Sequence, residues 1–184
     1  MKFLRTDLPG VILIEPTVHR DPRGFFLETY HAPRYRENGI DAIFVQDNHS
    51  CSLRGALRGL HMQLAPRAQA KLVRALEGEV LDVAVDVRVG SPSFGRSTAV
   101  LLSSENQHQL YVPPGFAHGF CVLSERAQVE YKCSEVYDPG CELAIAWNDP
   151  ELAIRWPVEE PILSDRDRAA PRLAEVRHRL PRYA

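Results

Sequence analysis

Apolar positions along the chain fall into short runs with turn signals between them, not into long helical stripes. "GVILIEPTVH", "GFFLETY", "AIFVQDNHS", "GALRGLHMQ", "AKLVRALEGEVLDVAVDVR", "STAVLLSS", "HQLYVPP", "HGFCVLSE", "AQVEYKCSEVY" and "ELAIAWND" are rich in Val, Leu, Phe and Tyr. Asp21-Pro22, Gly90-Ser91-Pro92, Pro114-Gly115 and Asp138-Pro139-Gly140 punctuate them, as strands joined by tight turns require. "VLDVAVDV" sets Val80, Asp82 and Ala84 against Leu81, Val83 and Val85, with Asp86 ending the polar row. A period of two predicts a half-buried strand there. Helical signals are few. "APRYRENGI" predicts a short helix stopped by Gly39, and Ser164 reads as the N-cap of a C-terminal helical tail presenting Leu173, Val176 and Leu180 on one face. Many short strands with helices only at the periphery predict an all-β fold, an antiparallel sandwich or jelly roll.

Length and composition bound this picture. The 184 residues predict one domain over 1–184, and an apolar fraction of 45% is enough for a core without disulfide staples. Lysine and arginine number 22 against 24 acids, a formal net charge of -2. That balance offers no general attraction to nucleic acid or an anionic membrane, so an anionic ligand needs a local cluster. Cys51, Cys121, Cys133 and Cys141 form no C-x-x-C pair and read as reduced thiols. The start "MKFLRTDLPGVILIEP" lacks the apolar stretch and cleavage site of a signal peptide. A soluble cytoplasmic protein is the expectation.

One run does not fit a plain core strand. "GALRGLHMQ" carries Arg58 and His61 among apolar and glycine residues. Three positions separate them, so strict alternation sends them to opposite faces. A bulge or bend at Gly59 brings both to the same side, where they line a ligand site instead of disrupting a core. The alternative for Arg58 is a structural ion pair with Asp82 or Asp86.

"GALRGLHMQ" and "PPGFAH" resemble the two halves of the cupin signature, a small jelly-roll barrel that points histidines into its mouth. Metal-binding cupins carry His-x-His and then a glutamate. Here the second histidine is replaced by Gln63, and no glutamate precedes Lys71. His61 and His118 give two ligands, and His108 as a third candidate only reaches the lowest count a divalent metal wants, so no metal is expected.

"DPRGFFLETY", "FVQDNHS", "LRGLHMQ", "GSPSFG", "PPGFAHGFCVLSE", "VEYKCSEVYDP", "WNDPELAI" and "LSDRD" follow one another across nearly the whole chain. Together they resemble the dTDP-4-dehydrorhamnose 3,5-epimerases. The resemblance implies a cupin-type jelly-roll barrel, a homodimer sharing N-terminal strands between subunits, and catalysis without metal or organic cofactor. It implies action on a dTDP-4-keto-6-deoxyhexose, dTDP-4-dehydro-6-deoxy-D-glucose, to give dTDP-4-dehydro-L-rhamnose. The C4 ketone acidifies the protons at C3 and C5. Epimerisation then needs a base, an enolate stabiliser and an acid on the opposite face.

By the same resemblance His61 is the proton acceptor, and a neutral imidazole with a reference pKa of about 6.5 suits that role. Asp167 in "LSDRD" is its orienting partner, since one ring nitrogen must be held for the other to act. Asp165 only favours the helix start. Tyr131 in "VEYKC" is the proton donor. Lys71 and Arg58 supply positive charge to the enolate oxygen and the diphosphate. The plain alternatives are a core histidine for His61 and a packing tyrosine for Tyr131. Nucleotide contacts are implied for Arg23, Glu28, Gln46, Asp47, Asn48, His118, Glu142 and Arg166, with Tyr137 stacking on thymine. Two departures stand out: Val136 where many relatives have an aromatic, and Arg166 where they often have lysine. A C3 or C5 monoepimerase of an antibiotic-sugar pathway is the alternative within this class. A metal-dependent cupin oxygenase and a non-enzymatic sugar-nucleotide binder are disfavoured, the first by Gln63, the second by base, partner and acid occurring together.

Overall fold

Most strands after the N-terminal region switch between two facing antiparallel sheets from one to the next, as the computed structural model of residues 1–183 shows. One sheet has the order β1 (Lys2–Arg5), β2 (Ile12–Glu15), β10 (Gln109–Val112), β7 (Lys71–Glu77), β12 (Arg126–Cys133), β5 (Gln46–Leu53). The other has the order β13 (Glu142–Ala144), β6 (Leu57–Gln63), β11 (Phe116–Val122), β8 (Glu79–Asp86), β9 (Ser97–Ser103). A separate hairpin joins β3 (Val18–Asp21) to β4 (Gly24–Leu27). The zigzag from sheet to sheet is a jelly-roll winding, one of the two all-β arrangements the strand pattern predicts and the one the family resemblance implies.

The sheets close on an apolar centre. Val73, Ala75 and Val129 from the first sheet meet Val80, Ala84, Phe116 and Phe120 from the second, each 3% exposed or less. Each fully buried Val or Phe side chain among them contributes about 1.5–3 kcal/mol. The long run from Ala70 to Arg88 breaks at Gly78, whose φ is +72° and where a Cβ would lie 2.2 Å from the Arg126 carbonyl oxygen. Only glycine fits that crossing, and the two halves of the run enter different sheets as β7 and β8.

Two expectations need correction. The half-buried strand predicted at "VLDVAVDV" is buried on both faces, with Asp82 and Asp86 wholly inaccessible. Val80, Asp82 and Ala84 face the barrel interior, while Val83 and Val85 are covered by Leu152, Leu173, Val176 and Leu180 of the C-terminal segment. Alternation recorded polarity correctly, but the polar face meets buried partners and not water. The single C-terminal helical tail is instead α2 (Asp165–Arg168), capped by Ser164, then α3 (Leu173–Val176) and a 3-10 turn over Arg177–Arg179. Pro171 cannot donate within a continuous helix, so the chain restarts beyond it. Leu173, Val176 and Leu180 still share one buried cluster. The first helix, α1 (Ala32–Glu37), ends before Gly39 at φ +88°, as anticipated. Among the described residues no helix is long and apolar enough to cross a membrane.

Candidate active site

The rows that fill the barrel centre turn polar toward one end. In β7 the interior row Val73 and Ala75 begins with Lys71, and in β12 Val129 is followed by Tyr131. In β11 His118 lies between the interior residues Phe116 and Phe120, and in β8 Asp82 lies between Val80 and Ala84. Strand alternation alone puts these four polar groups inside. Lys71, Tyr131 and His118 open on a cavity of about 490 Å³, lined also by Arg58, His61, Tyr137, Glu142, Arg166 and Asp167, with Asp82 buried behind His118.

Strand β6 reaches the cavity only through an irregularity. Arg58 pairs with Phe120 and His61 with His118, so three residues of β6 span two of β11. The extra residue restarts the alternation. Leu60 and Met62 pack into the outer cluster, while Arg58 and His61 both line the cavity. At the irregularity Gly59 has φ +135°, and a Cβ there would come within 2.5 Å of the Gly119 Cα. The bend expected at Gly59 is present.

His61 Nε2 lies 2.5 Å from Asp167 Oδ1. The Ser164 hydroxyl donates to Asp167 Oδ2 at 2.7 Å. Burial alone would raise the Asp167 pKa, but hydrogen bonding and charge from His61, with donors from Ser164 and the Gly59 backbone, hold it below the usual carboxylate value. Asp167 is thus an anchored anion on one ring nitrogen, leaving Nδ1 as the nitrogen available to a ligand. Asp165 is exposed and belongs to the helix start.

The other groups have equally specific surroundings. Burial raises the Tyr131 hydroxyl above the ordinary tyrosine value, as do Cys133 and Glu142, so it holds its proton at neutral pH. Burial pushes the Lys71 ammonium down, against the attraction of Cys133, Glu142 and Asp82. Lys71 Nζ is 5.8 Å from the centre of the Tyr131 ring. The Arg58 guanidinium donates to Ser52 Oγ at 2.9 Å and makes no carboxylate pair among the described residues. The alternative pairing is absent: Asp82 Oδ1 meets His118 at 2.8 Å and Asp86 pairs with Arg88 at 2.8 Å.

The nucleotide candidates divide. Glu142 accepts from the Tyr137 hydroxyl at 2.6 Å and pairs with Arg166, beside the cavity. Burial raises the Glu142 pKa, but Arg166 and Tyr137 outweigh it and leave the group below the ordinary value. Gln46 and Asn48 line a smaller annex of about 90 Å³ together with His61, Lys71 and Tyr131. Asp47 falls on the opposite face of β5, paired with Lys132 at 3.0 Å. Arg23 sits in the exposed β3–β4 turn against Asp21, and Glu28 faces Arg34 in a separate surface hollow. These three are not brought to the cavity within the chain. His108, in the turn before β10, does not line it either.

Two contributors were not assigned to the site in advance. Asp82 looked like the solvent side of a strand, yet it orients His118. Ser164 looked like a helix cap alone, yet it also anchors Asp167. The signals were a carboxylate inside a valine run and the Ser-x-x-Asp spacing of a cap.

Comparison with known proteins identifies the family. The family model described as dTDP-4-dehydrorhamnose 3,5-epimerase matches residues 5–175. A Pseudomonas aeruginosa protein named dTDP-4-dehydrorhamnose 3,5-epimerase is 52% identical over 178 residues, 96% of this chain and 98% of its own. The crystal structure of a Legionella pneumophila dTDP-6-deoxy-D-glucose-3,5-epimerase in complex with dTDP-4-keto-L-rhamnose is 49% identical. It covers 100% of this chain and 98% of its own, with a TM-score of 0.96. A 4-keto-6-deoxy sugar epimerase from the novobiocin biosynthetic gene cluster of Streptomyces spheroides is 42% identical, covering 100% of this chain and 94% of its own, with a TM-score of 0.96. With the family model spanning nearly the whole length and close relatives matched end to end, this chain belongs to the dTDP-4-dehydrorhamnose 3,5-epimerase family.

Proposed function

We propose that the enzyme inverts C3 and C5 of dTDP-4-dehydro-6-deoxy-D-glucose, giving dTDP-4-dehydro-L-rhamnose. The observation that carries the reading is the placement of His61 and Tyr131 on strands of opposite sheets, β6 and β12, lining one cavity with Lys71. A sugar held between the sheets meets a base from one side and an acid from the other. His61 Nδ1 takes the proton α to the ketone, and the carbon–hydrogen electron pair moves into the enolate with its charge on the C4 oxygen. Asp167 stabilises the imidazolium formed at that moment. Lys71 and Arg58 offer positive charge to the enolate oxygen and the diphosphate. Tyr131 gives its proton to the opposite face of the carbon, and proton exchange with water resets both groups. Each centre loses one proton and gains one, so no redox partner is required.

The N-terminal hairpin fits a homodimer. Phe25 is 54% and Phe26 71% exposed in β4, and the β3–β4 sheet pairs with neither large sheet among the described residues. Arg23 and Glu28, remote from their own cavity, reach a nucleotide only if this hairpin serves the neighbouring subunit. A second reading, inversion at one centre alone, is favoured by similarity to a 3'-monoepimerase from Streptomyces bikiniensis, 40% identical, covering 97% of this chain and 92% of its own, with a TM-score of 0.91.

Product NMR in deuterated water tests both readings. Inversion with deuterium at C3 and C5 is the expected result, and inversion at one centre selects the second reading. His61→Ala should abolish exchange at both carbons. Tyr131→Phe should leave residual exchange, because His61 can return a solvent-derived proton to the face it came from, while inversion is strongly suppressed. Wild-type inversion by Tyr131→Phe would remove Tyr131 from the acid role.

A further inference from the structure

Gln63 ends β6, two residues beyond His61, and is 4% exposed. Its carboxamide is used on both sides. Nε2 donates to the Arg67 carbonyl at 2.7 Å and to the Val136 carbonyl at 3.2 Å, and Oε1 accepts from the Asp138 N–H at 2.8 Å. Val136 and Asp138 are the residues on either side of Tyr137. One buried amide therefore grips the backbone before and after that aromatic, in the manner of a neighbouring strand. The amide orientation is fixed by the network, since a flipped group would set its oxygen against two carbonyls.

Tyr137 needs such a grip. Its ring is 52% exposed, so packing does not hold it. Its own N–H donates to Gln46 Oε1 at 2.8 Å and its hydroxyl to Glu142 Oε2 at 2.6 Å. An exposed ring on a free loop loses rotamer and backbone freedom when it stacks on a ligand, and a loop fixed beforehand avoids that cost.

We infer that Gln63 is the positioning residue that sets Tyr137 for the flat heteroaromatic base of the nucleotide substrate. This rests on the stacking of Tyr137 on thymine that the family resemblance implies. One strand thus serves both ends of the ligand, with His61 at the sugar and Gln63 behind the base. The loop stays attached without Gln63, because Gln69 Nε2 donates to the Glu135 carbonyl at 2.6 Å and the Ala70 N–H to Ser134 Oγ at 2.8 Å. Loss of the Gln63 amide should loosen Tyr137 without releasing the whole segment.

The test pairs Gln63→Met, similar in length and without hydrogen bonds, with Gln63→Glu, which keeps the acceptor for Asp138 and loses both donors. Calorimetric titration with dTDP and steady-state kinetics are run on the full chain, alone and with Tyr137→Ala. Gln63→Met should raise the Kd for dTDP and the KM roughly tenfold, about 1.4 kcal/mol, with kcat within about twofold. Gln63→Glu sets a carboxylate oxygen against the Arg67 and Val136 carbonyls and should lose at least as much as Gln63→Met. In the Tyr137→Ala background, Gln63→Met should add less than about twofold, as coupled neighbours do. Equal losses in both backgrounds, a fall in kcat with KM unchanged, or variants that lack a cooperative melt would overturn the inference, since each makes Gln63 a support of the fold or the chemistry. Unchanged dTDP binding in Tyr137→Ala alone would identify a different failure, that of the stacking reading, and the inference would fall with it.

Discussion

His61 and Asp167 stand 106 positions apart and meet at 2.5 Å, and that contact separates two aspartates that look interchangeable in "LSDRD". Asp167→Asn keeps the size and the Ser164 contact but removes the negative charge that fixes the tautomer and stabilises imidazolium. Turnover should fall roughly a hundredfold or more with KM little changed. Asp165→Asn should cost about 1 kcal/mol or less of stability and leave turnover alone. Steady-state kinetics and denaturant melts on the two variants check this, and a sensitive Asp165 would mean that the dyad is misassigned. Lys71 makes a prediction about pH. Burial lowers its pKa in the folded protein, so the unfolded chain binds more protons between the depressed value and the ordinary lysine value, and stability rises with pH across that window. Below the window the buried charge is a cost. Lys71→Met should therefore raise the Tm at neutral pH and flatten the alkaline rise, while abolishing turnover. A lower Tm in that variant would show that Cys133, Glu142 and Asp82 hold the ammonium more strongly than burial opposes it.

Strand β6 carries the site because of a single irregular step. If Arg58 and His61 followed strict alternation, one would face the outer cluster occupied by Leu60 and Met62. Gly59 permits the extra residue, having φ +135° and no space for a side chain. Gly59→Ala should destabilise the protein by at least about 2 kcal/mol through strain and overpacking. It should also lower kcat, as His61 shifts relative to Asp167. Denaturant unfolding and kinetics measure the two effects; a stable, fully active variant would mean that the bulge does not set the base. The C-terminal segment shows the opposite dependence on local geometry. Its helix is broken at Pro171, yet Leu173, Val176 and Leu180 reach the same buried cluster as an unbroken helix would supply. Burial chose the contacts, and the backbone took whatever path proline allowed.

Across the whole molecule, the proposed base His61 and proposed acid Tyr131 stand on different sheets, while Arg23 and Glu28 lie outside the cavity their own chain forms. If the β3–β4 hairpin completes the neighbour's site, Arg23→Ala and His61→Ala chains should complement each other. A mixed dimer holds one site with an intact His61 from one chain and an intact Arg23 from the other. Refolding the two together should restore activity above the sum of the separate variants, and co-sedimentation should report a dimer. Activity no greater than that sum would return the hairpin to its own subunit.

Strand content and jelly-roll winding could be read along the chain because alternation and turn residues are local properties. Lys71, Tyr131 and His118 were placed in the site by the family resemblance, and the structure shows that each continues the parity of an apolar row. The broken helix was half legible: Pro171 was in view, and only the weight of the amphipathic pattern concealed the break. Other features were not local. Asp82 and Asp86 looked solvated because a strand's pattern gives the polarity of a face but not what covers that face. Here His118 lies against one carboxylate, and Arg88, Ser91 and Ser93 against the other. Asp47 and Asn48 are adjacent in sequence, yet the pleat of β5 turns one to Lys132 and the other to the annex. The sequence carries residue type and parity. Which parity meets water, which meets the opposite sheet, and which distant carboxylate stands behind a histidine are set when the two sheets close.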